Sequence, residues 1–84
     1  MNLKLVKIEW LDILNDNNWC SFKDIDEKIT GALESKYYSV GWLYKDTKEY
    51  IVILPSISLK PDGELEDVTW EFIPKGVIKK ITKL

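Results

Sequence analysis

Val68-Thr69-Trp70-Glu71-Phe72-Ile73-Pro74-Lys75-Gly76-Val77-Ile78 is the stretch on which the fold turns. Val68, Trp70 and Phe72 alternate with Thr69 and Glu71, the two-residue period of a half-buried strand. Pro74-Lys75-Gly76 then breaks the sheet, Val77-Ile78 reads as a short 3₁₀ turn, and a last strand follows around Ile81. On this register Trp70 is expected to pack in the core.

Upstream, Lys60-Pro61-Asp62-Gly63 is a strong turn signal. Before it, Tyr50-Ile51-Val52-Ile53-Leu54 is an unbroken apolar run, expected to be a central strand covered on both faces. Pro55 predicts a bend or bulge, with pairing resuming through Ile57 and Leu59. Asp46-Thr47-Lys48 predicts a hairpin turn to a preceding strand at residues 37–44. At the other end, Val6, Ile8 and Trp10 alternate with Lys7 and Glu9, predicting a strand over residues 3–10 whose second face, Leu3 and Leu5, is partly covered.

One helix is expected between the first and second strands. Asn15-Asp16-Asn17-Asn18 is a turn cluster, and Ser21 with Asp24 three residues on makes a capping pair. Phe22, Ile25, Ile29 and Leu33 form one apolar stripe at three- and four-residue spacing. Thr30 and Gly31 weaken the last turns, so the helix should end by Ser35. Short strands joined by tight turns suit a small sheet that closes on itself. The expectation is therefore a mostly β (α+β) single domain over residues 1–84. It takes the form of a five-stranded SH3-like or Sm-like barrel with the helix laid over one open end. A flat α+β sheet with one helix is the alternative.

Composition excludes more than it assigns. The chain has 84 residues, no histidine and a single cysteine, Cys20, and all of its basic residues are lysines. Without histidine there is no Ser-His-Asp or Cys-His chemistry and no ordinary zinc site. Without arginine the chain lacks the side chain best suited to a bidentate grip on phosphate or guanine. A lone cysteine permits no internal disulfide and fits a reducing cytoplasm. No apolar run approaches the ~20 residues that cross a bilayer. Residues 1–7 show no apolar stretch followed by a small-residue cleavage site, so no signal peptide is expected.

Charge falls in blocks. Residues 61–73 carry five acids, Asp62, Glu64, Glu66, Asp67 and Glu71, and residues 74–84 carry four lysines. The carboxylates at Asp24, Asp26 and Glu27 sit where a helix start favours acids anyway, and those at Glu64, Glu66 and Asp67 sit by a turn. Neither group reads as a catalytic or metal-binding set. Cys20 has no histidine to activate it and reads as a buried thiol. The four glycines are isolated, so there is no phosphate-binding loop.

Three pieces form a pattern together: Trp10-Leu11-Asp12, Ser39-Val40-Gly41-Trp42-Leu43, and Ile73-Pro74-Lys75-Gly76-Val77-Ile78 followed by Ile81 and Leu84. In this order and spacing, over nearly the whole chain, they resemble a widespread family of small hypothetical phage and prophage proteins. The resemblance implies a mobile genetic element and a bacterial host cytoplasm, and it carries no chemistry. The acidic approach from Asp62 to Asp67 departs from the pattern. The ending, an apolar strand, Phe-Ile-Pro, a short turn and a strand, is similar to the closing segment of SH3 domains, an analogy of fold alone.

The functional expectation is a non-enzymatic binding module without cofactor or metal. Its partner is a protein or a second copy of itself, since a core this small leaves apolar surface to cover. The candidate contact residues are Trp19, Tyr37, Tyr38, Ser39 and Trp42, although Trp42 and Trp10 also read as core packing. A sponge for a small nucleotide signal is the alternative. RNA binding by a lysine face of Lys4, Lys7, Lys75, Lys79, Lys80 and Lys83 is the third reading, set against the acidic net charge of −2.

Overall fold

A computed structural model describes residues 3–12 and 18–84. Seven strands, one α-helix and one 3₁₀ turn follow in the order β1 (Leu5–Trp10), α1 (Phe22–Glu34), β2 (Tyr37–Asp46), β3 (Tyr50–Leu54), β4 (Ile57–Leu59), β5 (Leu65–Val68), β6 (Glu71–Pro74), η1 (Lys75–Val77) and β7 (Ile78–Lys83). The chain is mostly β, with one helix between the first two strands as expected. Five strands make an antiparallel sheet in the order β6-β3-β2-β1-β7, and β4 and β5 pair separately as a two-stranded hairpin.

The expected closed barrel is not what the pairing gives. Among the described residues β6 and β7 are the two edges of the sheet, joined by η1 rather than by a ladder. Backbone hydrogen bonds hold that turn against its surroundings. Leu11 N–H donates to the Val77 carbonyl at 2.8 Å, and Lys75 N–H donates to the Glu49 carbonyl at 2.8 Å. The Lys75 ammonium also pairs with the Asp46 carboxylate at 2.6 Å.

One face of the sheet carries the core. Val6, Ile8, Ile51, Ile53 and Ile73 are buried together, with Trp10, Leu43, Val77 and Ile78 packed against them. The alternation expected for β1 is therefore observed. The core is thin, and each such side chain contributes ~1.5–3 kcal/mol on burial. A polar chain spans its margin: Trp10 Nε1–H donates to Ser39 Oγ at 3.1 Å, and the Ser39 hydroxyl donates to Glu71 Oε1 at 2.7 Å.

Turn chemistry sets the connections. In the β2–β3 turn Thr47 Oγ1 accepts from the N–H groups of Glu49 and Tyr50 at 3.2 and 3.0 Å. In the β4–β5 turn Gly63 adopts φ +89°, where glycine is favoured over residues with a side chain, and its N–H donates to the Lys60 carbonyl at 2.8 Å. Pro55 ends β3, and the chain leaves the sheet there instead of resuming the same ladder.

Several expectations from periodicity are overturned. The segment from Val68 to Phe72 is not one half-buried strand. It is the end of β5 and the start of β6, and Trp70, expected in the core, lies 68% exposed between them. The helix does have its Ser21 cap, its reciprocal Asp24 partner and its end at Ser35. Yet it buries none of its residues, and Phe22 at its start is 86% exposed. It is therefore not a lid over the sheet. Cys20 is exposed, not buried. Of the expected turn at residues 15–18, only Asn18 lies among the described residues.

Candidate functional site

The face opposite the core is not conventionally polar. Leu5 stands opposite Trp42, Trp42 opposite Leu54, and Val52 opposite Phe72, so an apolar row crosses β1, β2, β3 and β6. A register shift between Leu43 and Lys45 leaves Tyr44 as the extra residue of a bulge. Tyr44 and Lys45 consequently both reach the same side. Tyr50 stacks on Phe72 with ring centroids 4.8 Å apart.

The β4–β5 hairpin stands beside this face and turns it into a groove. Thr69 N–H donates to the Ser56 carbonyl at 2.9 Å and Ser56 N–H donates to Thr69 Oγ1 at 3.0 Å, which fixes the hairpin's base. The groove has a volume of about 720 Å³. Tyr44, Val52 and Phe72 line it from the sheet, Leu65 and Val68 from the hairpin, and Trp70 from the junction. Lys45 is the one charged residue in its lining among the described residues. None of the hairpin's acids lines it.

The candidate contact residues read from the sequence do not meet in one place. Trp19 is fully exposed ahead of the helix. Tyr37 leans on Trp10, with centroids 5.2 Å apart, near the core side of β2. Ser39 is engaged by Trp10 and Glu71 and serves structure. Trp42 is half-buried within the apolar row. Tyr38 lies on the outer face, where the Lys7 ammonium sits 5.5 Å from its ring centroid and its hydroxyl donates to Glu9 Oε1 at 3.4 Å.

The six lysines divide as well. Lys7 and Lys80 border a shallow depression of about 270 Å³ together with Lys36, Tyr38 and Glu9. Lys83 is registered with Val6 and so falls on the opposite side of the sheet, and Lys79 is the extra residue at the register shift between Glu9 and Trp10. A hydrogen bond between the Lys83 side chain and the neutral Lys4 amine, and then the like charge of Lys83, hold Lys4 below the usual lysine range. Lys75 is paired with Asp46.

Sequence reasoning missed the groove because it assigned Trp70, Phe72 and Val68 to the core. The available signal was the pair of breaks at Pro55 and at Pro61-Asp62-Gly63, which detach a hairpin between two sheet strands. No helix among the described residues is long and apolar enough to cross a membrane. Among the same residues no group of three or more acid or cysteine side chains is placed to hold a metal ion. No protein-family model, curated protein or solved structure matches this chain.

Proposed function

We propose that the chain is a non-enzymatic, phage- or prophage-encoded protein-interaction module of the SH3-like or Sm-like plan, and that the groove is its contact surface. The carrying observation is the groove itself: about 720 Å³, lined by aliphatic and aromatic side chains around a single lysine. Such a surface suits an apolar segment of a protein, with Tyr44, Trp70 and Phe72 as anchors. Support for the fold plan comes from the strand order β6-β3-β2-β1-β7 and from the 3₁₀ turn between the two edge strands.

Amide NMR on the labelled protein, titrated with a panel of Leu-rich amphipathic helical peptides, tests the reading. Shifts should concentrate at Tyr44, Val52, Leu65, Val68 and Phe72, and Trp70→Ser should weaken them. A groove that no peptide perturbs, in a protein that is also monomeric, sinks the proposal.

One observation favours a second reading, the small-nucleotide site. Lys7 lies over the Tyr38 ring, and Lys36, Lys80 and Glu9 line the same depression, which offers cations for a phosphate beside a ring for a base. Nucleotide binding there would weaken steeply with salt and would shift the Tyr38 amide rather than the groove.

A further inference from the structure

The chain exposes far more surface than a molecule of its mass should. A folded monomer of 9.8 kDa is expected to expose about 5,200 Å², whereas this one exposes 6694 Å². The excess is about 1,500 Å². The radius of gyration is 17.0 Å, against about 12 Å for a compact chain of this length, and the long axis is 59 Å against 23 and 20 Å.

The excess has two visible sources. One is α1, whose stripe of Phe22, Ile25, Ile29 and Leu33 is exposed along its whole length. The other is the hairpin and the groove it flanks, where Leu65, Val68, Trp70 and Phe72 are also exposed. Each chain thus offers an apolar ridge and an apolar groove, and it fills neither from within. Leaving both wet is unfavourable, since apolar surface gains ~25 cal/mol per Å² when covered. The core, with six buried apolar residues among the described ones, has little stability to set against that exposure.

We propose that two copies of this chain assemble reciprocally, the α1 stripe of each seated in the groove of the other. The proposal rests on the interaction-module reading and names the partner of the same groove. Two-fold closure lets one ridge-and-groove contact occur twice and leaves no open end. The amount of surface fits: a stable protein interface covers ~800 Å² per partner and obligate dimers cover more. Pairing of helix with helix accounts for less. A 13-residue helix is only ~20 Å long and ~10 Å wide, so its one apolar face cannot absorb the excess, and the groove would stay open. Charge agrees as well. Asp26 borders the stripe on the helical wheel, and Lys45 is the one charge lining the groove.

Native mass spectrometry and sedimentation on the full chain test this with paired variants. The wild type should be a dimer. Ile29→Asp on the ridge and Leu65→Glu on the groove, both at half-exposed positions, should each weaken dimerisation at least ~100-fold by placing an unpaired charge in the contact. Circular dichroism reports whether each variant stays folded, and Trp70→Ser replaces Leu65→Glu if the hairpin is lost. Mixing the ridge variant with the groove variant should restore a heterodimer, because one intact ridge then meets one intact groove. A dimer that survives both groove variants, or a mixture that stays monomeric, overturns the arrangement. A wild type that is monomeric yet binds the amphipathic peptides in its groove overturns self-assembly alone. A monomer that binds no peptide removes the interaction-module reading too.

Discussion

Replacing Gly41 by alanine should destabilise the sheet, and the structure says by roughly how much. Gly41 is buried in β2 opposite Val6. A β-carbon placed there would lie 2.9 Å from both the carbonyl carbon and oxygen of Leu54, and 3.1 Å from the Pro55 nitrogen. Carbon contacts are comfortable at ~3.5–4.0 Å, so the methyl group overlaps its neighbours by about half an ångström or more. All three neighbours are backbone, at the point where Pro55 bends the chain out of the sheet, and none can rotate aside. Overpacking of this kind costs ~1–3 kcal/mol. A domain of this length has only ~4–13 kcal/mol in total. At ~4–8 °C per kcal/mol, Tm should fall by about 5–20 °C. Guanidinium unfolding followed by circular dichroism is the assay. The midpoint should drop with the slope unchanged. Wild type and variant must be compared at one protein concentration, because the proposed self-association would make stability depend on it. Gly76→Ala is the control: a β-carbon there meets nothing within 4 Å, and the unfolding free energy should stay within ~0.5 kcal/mol of wild type. A Gly41→Ala protein that unfolds at the wild-type midpoint would refute the close-approach argument. It would also leave the Ser39-Val40-Gly41-Trp42-Leu43 motif without a structural reason.

Other substitutions separate the sheet from its appendages. Ser39→Ala removes the atom that both accepts from Trp10 and donates to Glu71, and should cost ~1–3 kcal/mol in chemical denaturation. A loss below ~0.5 kcal/mol would mean that water replaces it freely. Ser21→Ala deletes the helix cap and should cost ~1 kcal/mol of helix stability. Because α1 is unburied within its own chain, faster amide exchange in α1 should report that loss before the core amides do. Gly31→Ala, at an open position in α1, should stabilise the helix by ~0.5–1 kcal/mol, read from the helical dichroism signal. The pH dependence has a definite sign. Lys83 holds Lys4 below the usual lysine value, so the folded chain releases this proton earlier than the unfolded chain does. Stability should therefore rise as pH climbs from the lowered Lys4 value toward the ordinary lysine range. Lys83→Gln should bring Lys4 back up in an NMR titration.

What the sequence made legible was local. Ser21 and Asp24 announced the helix start because a side chain caps orphan N–H groups within one turn. Asp46-Thr47-Lys48 and Pro61-Asp62-Gly63 announced turns for equally local reasons. The β1 core face followed from alternation, and Val6 and Ile8 are buried as that pattern requires. The candidate site was not legible, because it depends on where the hairpin goes after Pro55. A proline reports that a ladder stops and does not report which surface the departing strands will flank. The set of Trp19, Tyr37, Tyr38, Ser39 and Trp42 rests on single aromatics and their neighbours, taken one position at a time. The groove is instead made by residues that looked buried.

That inversion has a physical reason. Apolar periodicity records that a face leaves water, and it is silent about whose atoms cover it. In β1 the covering atoms belong to the same chain. In α1 the stripe of Phe22, Ile25, Ile29 and Leu33 has the spacing of a core-facing helix, yet every member is exposed within its own chain. Trp70 and Phe72 repeat the case on the sheet side. Two independent segments, one helical and one extended, thus carry core-type patterns without a core. Marginal surface positions should not retain four apolar residues at helical spacing beside an apolar groove unless both are covered in the working molecule. A second copy meets that requirement with the fewest assumptions, since ridge and groove are then always present at equal concentration. The mixing of Ile29→Asp with Leu65→Glu decides the matter, because only a contact of ridge with groove can be broken in each variant and rebuilt between them, and a wild type that stops at two copies shows that the contact closes on itself.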